Sequence, residues 1–192
     1  MGLAAIKYIV CLDPYDCKCH EISPIHVASR HGDIELFKHI EAKIKNKSPT
    51  NCFGKTPLHL AAFEGHLEIC KWYITNIGAV NDMDDLGWRA IHFAASNGQV
   101  EIFNYLLENG ADLNLKSDLY IGDTPLHVAT INGHVDIVKL ILVNVVDKNP
   151  VNKKGETPLS IAAKYGFLEI YGLICQYVKD RLPLDLRTLR SK

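Results

Sequence analysis

The sequence predicts an all-α solenoid of stacked helix-turn-helix units joined by β-hairpin loops, and three observations lead there. First, the stretch TPLHLAAFEGHLEICKWYI from Thr56 returns in register four more times. The other copies read SPIHVASRHGDIELFKHI from Ser23, RAIHFAASNGQVEIFNYLL from Arg89, TPLHVATINGHVDIVKLIL from Thr124 and TPLSIAAKYGFLEIYGLIC from Thr157. Second, Gly32, Gly65, Gly98, Gly133 and Gly166 mark the copies at spacings of 33, 33, 35 and 33 residues. Third, each copy carries an apolar stripe that it cannot bury alone, so neighbouring copies must stack.

The elements follow in chain order. AIKYIV near the N-terminus aligns with ICKWYI and IVKLIL, so residues 4–11 read as the end of a second helix, and residues 1–20 as a half repeat or cap. Five full copies are expected at about 21–53, 54–86, 87–121, 122–154 and 155–180. Within the second copy, Thr56 is an N-cap candidate and Pro57 suits the first helical position, where its missing N–H costs nothing. Leu58, Ala61 and Ala62 give a short helix, and Gly65 stops it by tolerating positive φ. A second helix follows from His66, with Leu67, Ile69, Cys70, Tyr73 and Ile74 on one stripe near 3.6 spacing. NIGAVNDMDDLGW is then a turn-and-hairpin connection. Residues 181–192 read as a tail or partial cap, with Leu184, Leu186 and Leu189 able to cover the last helix.

The recurring T-P-L-H-x-A, seen at Thr56 and Thr124 and in variant form elsewhere, resembles the signature of the ankyrin repeat over nearly the whole chain. Departures are Ser23, Arg89 and Ala90 in the Thr-Pro positions, Ser160 in place of the histidine, and two residues inserted between the third and fourth copies. The resemblance implies that His59 bonds to a neighbouring loop and that His66 and His134 begin second helices. It also implies asparaginyl hydroxylation as one fate of the register assigned to Asn81, Asn114 and Asn152. Leu106 stands eight residues before Asn114, although a turn asparagine bonding its own hairpin is the expected role.

Composition narrows the function classes. A net charge of −1 and a pI near 6.7 give no electrostatic footprint for nucleic acid. LAAIKYIVCL is interrupted by Lys7 and is too short to span a membrane. MGLAAIK has Ile6 where an acylation signal wants Ser or Thr. Without a secretory signal, the six cysteines are expected to be reduced thiols in a cytoplasmic or nuclear protein.

No catalytic motif appears: no nucleophile elbow, no phosphate-cradling loop, no H-E-x-x-H. Glu68, Glu101, Asp136 and Glu169 recur at one register position, which marks them as repeat scaffolding. His59 and His66 are two ligands where a zinc site needs three or four. Cys11, Cys17, Cys19 and His20 lie within ten residues, but their spacing is not a standard zinc arrangement. Neither a metal nor a cofactor is therefore expected.

The expected function is non-catalytic binding of a protein partner on the concave face made by hairpin tips and first helices, by a chain expected to be monomeric. The residues that vary between copies there are Arg30, His31, Phe63, Glu64, Asn97, Ile131, Asn132, Lys164 and Tyr165. Near the tips stand Phe53, Trp88 and Tyr120, with a patch expected around Phe63 and Trp88, since exposed Trp and Tyr are enriched at interface hot spots. The alternatives are a metal- or redox-responsive regulator using Cys17, Cys19 and His20, or the recognition arm of a larger protein.

Overall fold

The computed structural model describes residues 23–117 and 121–179. Ten helices lie in these residues, in five pairs. They are α1 (Pro24–His31) with α2 (Ile34–Glu41), α3 (Pro57–Glu64) with α4 (Leu67–Asn76), and α5 (Ala90–Ser96) with α6 (Val100–Glu108). The series ends with α7 (Pro125–Ile131) and α8 (Val135–Asn144), then α9 (Pro158–Tyr165) and α10 (Leu168–Lys179). First helices pack on one another in one row and second helices in another, which is the solenoid that the period requires.

The hairpins are too short to form strands. Among the described residues they reduce to one isolated bridge, Met83 to Arg89, and to closing bonds at the same place in each copy. Asn51 N donates to Lys55 O at 3.0 Å, Asp84 N to Trp88 O at 2.8 Å, Ser117 N to Asp123 O at 2.9 Å and Asn152 N to Glu156 O at 2.9 Å. Asn51, Asp84 and Asn152 also accept two backbone N–H groups each through Oδ1, which fixes the turn. Asn152 therefore shares a register with Asn51, Asp84 and Ser117. Asn149, three residues before that turn residue, is the counterpart of Asn81 and Asn114, and the two-residue insertion makes its spacing from Asn114 35 rather than 33 residues.

The core is continuous along the array. Tyr73, Phe37 and Phe103 are its largest fully buried side chains, with Ile69, Ile102, Leu106, Ile137 and Ile141 between the helix rows. Gly32 shows why glycine ends the first helices. Its φ is +74°, and a Cβ there would stand 2.5 Å from Nδ1 of His66. That ring lies against the turn so that its Nε2 can donate to Arg30 O at 2.8 Å, tying the second pair back to the first. His134 does the same to Ser96 O at 3.0 Å and Gln99 to Phe63 O at 3.2 Å. The start of each of these second helices is thus an inter-repeat clamp.

Two further features depart from the bare pattern. Lys148 is buried where Val80 and Leu113 stand in earlier copies, and its ammonium donates to Leu142 O and Val145 O at the end of α8, favourable for a cation at a helix C-terminus. At the last pair, Leu168 is 82% exposed and Tyr171 is also exposed, as the apolar sequence of α10 leads one to expect. The half repeat, Cys11, Cys17, Cys19, His20, Tyr120 and the tail with Leu184, Leu186 and Leu189 lie outside the described residues. Cys70 and Cys175 are free thiols, whereas Cys52, exposed on the first hairpin, is disulfide-bonded. That last state departs from the expectation of six reduced cysteines.

Candidate functional site

The histidine boxes set the positions of the first helices. In the second copy, His59 Nδ1 accepts Thr56 N–H at 2.9 Å and lies 2.9 Å from Thr56 Oγ1, while Nε2 donates to Asp82 O at 3.0 Å. One neutral imidazole therefore caps its own helix and holds the next hairpin. His26 reaches Lys55 O at 2.9 Å and His127 reaches Glu156 O at 3.2 Å in the same way. Burial pushes the imidazolium of all four histidines down, His59 to about 4 and His92 to about 3. His92 is the exception in bonding. Its Nε2 faces the carbonyls of Asp123 and Leu115 but makes no hydrogen bond, and the two-residue insertion falls in that hairpin.

These boxes carry an aromatic cluster onto the face shared by first helices and hairpin tips. Phe93 follows His92 on α5, in the variable position of T-P-L-H-x-A. Its ring centroid lies 5.3 Å from Trp88, 5.4 Å from His59 and 6.4 Å from Phe63. The Nζ of Lys55 stands 4.9 Å from the Phe93 centroid and 5.8 Å from that of Phe53, within cation–π range. Phe93 is 6% exposed and Lys55 8%, so both lie at the floor. Phe53, Phe63 and Trp88 are half-buried around them and present the rest of their surface outward. Sequence reasoning found that rim and missed Phe93. The signal was available, because the same position holds Leu60, Val128 and Ile161 in other copies and only here an aromatic ring.

The flanking candidates are placed with different freedom. Arg30 and Glu64 pair across the first two copies at 3.5 Å, each partly exposed, an interaction of less than about 1 kcal/mol. His31 is exposed. Asn97 is exposed, but its side-chain amide donates to Phe63 O at 2.8 Å, so it braces the patch. Asn132 donates to Val128 O at 2.9 Å, and Ile131 beside it is half-buried. Lys164 bonds Glu156 at 2.9 Å, and Tyr165 stacks on Phe167 at a centroid separation of 6.0 Å. Tyr165 is well separated in the array from Phe63. The candidates thus form a patch over the first three copies, with Ile131 and Asn132 on the fourth and Lys164 and Tyr165 on the fifth.

Among the described residues no group of three or more His, Cys, Asp or Glu could hold a metal ion. His59 and His66 point to carbonyls on opposite sides, Asp82 and Arg30. A cleft beside α7, lined by Leu113, Lys116, Thr124, Val145 and Pro150, has a volume of about 160 Å³, below the ~300 Å³ of ordinary ligand pockets. Glu68 and Asp136 lie in first turns of second helices and meet Lys71 at 2.9 Å and Lys139 at 3.9 Å, which is helix-surface pairing. Asn114 bonds Asp112 within its own turn, its N–H at 2.8 Å and its amide at 3.2 Å. Asn81 instead spans to the next copy, donating to Gly110 O at 2.9 Å. Among the described residues no helix is long and apolar enough to cross a membrane.

The family model described as ankyrin repeats matches residues 25–117 and 115–181. No curated protein matches the chain.

Proposed function

This chain belongs to the ankyrin-repeat family, whose members are generally protein–protein interaction modules, and we propose that it holds a protein partner without catalysing a reaction. The observation that carries the reading is the half-exposed ring of Phe53, Phe63 and Trp88 around buried Phe93 and Lys55. Aromatic side chains of this kind are the residues that dominate interface energies, and their low flexibility means that little entropy is lost on binding. The partner's apolar anchor would lie against Trp88 and Phe63, with Arg30, Glu64 and Asn97 at the polar rim. Lys164 and Tyr165 would form a second contact at the far end. The proposed compartment is the cytoplasm or nucleus.

The test is a quantitative pull-down comparing the native chain with Phe63→Ala/Trp88→Ala, with circular dichroism to establish that both fold. Each hot-spot truncation of about 2 kcal/mol should weaken the specific partner by roughly 30-fold, and the pair together by up to on the order of 1,000-fold. The same proteins retained equally by both baits would rule out this patch. A second reading, thiol control, is favoured by the disulfide at Cys52, next to Phe53. Cytosolic disulfides tend to be transient and regulatory. The same pull-down with and without reductant separates the two, since a thiol-controlled patch changes its yield on reduction and a constitutive one does not.

A further inference from the structure

The loop between α2 and α3, residues 42–56, differs from its counterparts in charge and at one register position. Lys43, Lys45 and Lys47 are exposed on it, and no Asp or Glu occurs between Glu41 and Glu64. Asn81, Asn114 and Asn149 occupy one position of the connecting loops in the later copies, each three residues before the turn residue Asp84, Ser117 or Asn152. In the first copy that position is Ser48, three before Asn51, and Pro49 follows it. The half-buried Ser48 Oγ lies 2.6 Å from the hydroxyl of Tyr73 and 3.4 Å from Asp82 Oδ2. Tyr73 is fully buried, and Asp82 O is the acceptor for His59.

We propose that Ser48 is a phosphoacceptor, and that phosphoryl transfer to it unseats this loop from the second repeat. The acceptor hydroxyl stands in a loop without regular structure. The proline after it holds the preceding backbone extended, the shape a chain takes in a kinase cleft. Lys43, Lys45 and Lys47 make the segment basic, with Lys47 pairing with Glu41 at 2.9 Å and Lys43 2.7 Å from Nε2 of His39. In the reaction Ser48 Oγ attacks the γ-phosphorus of a nucleoside triphosphate, and the bond from that phosphorus to the β–γ bridging oxygen breaks. The nucleoside diphosphate leaves, and the hydroxyl proton passes to the kinase's base.

The product brings about −1.5 to −2 charges to a site 3.4 Å from a carboxylate and against a buried phenol. Ser48 donates to Asp82 there, and a phosphate has only acceptors for that carboxylate. The loop relieves the repulsion by moving outward, where Lys43 and Lys45 can gather on the new dianion. Tyr73 then loses its hydroxyl partner, and the backbone that anchors His59 loosens. Residues 42–56 also carry Phe53 and Lys55 of the aromatic patch, but the inference rests on the contacts of Ser48 alone and its readouts need no partner.

The experiment treats the full chain with a proline-directed Ser/Thr kinase and Mg-ATP, beside a synthetic peptide of residues 41–54. The expected result is one phosphoryl group on the full chain, mapped to Ser48 by tandem mass spectrometry and absent from Ser48→Ala. The phosphorylated chain should melt about 2–4 °C lower and exchange amide hydrogens faster across residues 42–56. Ser48→Ala, which only removes a hydrogen bond, should shift less. A phosphorylated peptide beside a chain unmodified at Ser48 would overturn the proposal, and so would failure of both. Modification with unchanged melting and exchange would overturn the unseating.

Discussion

Replacing Phe93 with alanine is expected to lower stability by about 3–5 kcal/mol and to dissolve the aromatic patch. The ring is almost wholly buried at the meeting point of two hairpins and two first helices, touching His59, Phe63, Trp88 and the ammonium of Lys55. Truncation leaves a cavity that these four groups can fill only by abandoning their positions. It also leaves the buried ammonium of Lys55 without the ring at 4.9 Å that faces it. Phe93→Leu keeps most of the volume, as the equivalent Leu60 shows, and loses chiefly the edge-to-face and cation–π terms of about 0.5–1.5 kcal/mol each. Urea titration followed by circular dichroism measures both variants. A Phe93→Ala midpoint within about 1 kcal/mol of the native one would mean that the ring is peripheral.

Acid is expected to destabilise the chain from about pH 6.5 downward, beginning before its carboxylates are neutralised. His26, His59, His92 and His127 are buried as neutral rings, each with its folded pKa pushed below the ordinary 6.5 by loss of solvent. Above pH 6.5 neither folded nor unfolded chain protonates them, and they leave stability independent of pH. Below it the unfolded chain takes up protons that the folded one refuses until about pH 4 for His59 and about 3 for His92. Stability therefore falls as pH drops from 6.5 towards 4, by on the order of 3 kcal/mol for His59 alone. Buried Asp84 and Asp123 are shifted upward and act in the opposite sense, taking up protons in the folded state first. The large shifts of His59 and His92 set the sign, and Glu156, whose carboxyl is held low by its bond to Lys164, adds to them at the lower end. Melting temperatures measured across this window test it, and a value unchanged from pH 6.5 to 4 would contradict the histidine account.

How much of this was legible in the sequence depends on whether a role repeats. Thr56 as a cap and Gly65 as a stop could be read from residue chemistry that recurs in register. The bond of His59 to a neighbouring loop could be read from the family resemblance. His66 was read only as a helix start, and its clamp on Arg30 O is seen in the fold. The helix pairs follow from the same period. Phe93 was missed as a site residue because its position reads as core in the apolar pattern, although it is the only aromatic ring there among the five copies. Asn97 was read as a partner contact on its variability alone, and the bond from its amide to Phe63 O, which braces the patch, depends on the stacked fold. Asn152 was assigned to the register of Asn81 and Asn114 although it lies three residues beyond Asn149, because a loop of small polar residues offers two asparagines that look equally good. The bond from Ser48 to Tyr73 spans 25 residues and exists only once the first two copies stack.

The central claim is that a protein partner lies against the face of first helices and hairpin tips. The most direct measurement places a photo-crosslinking amino acid at Phe63 in one chain and at exposed Glu101, on the second-helix row, in another. Each chain is irradiated with the partner captured in the pull-down, and the adducts are mapped by mass spectrometry. The account predicts a covalent adduct from position 63 and none from position 101. Adducts from position 101 alone would place the partner on the opposite row and contradict it.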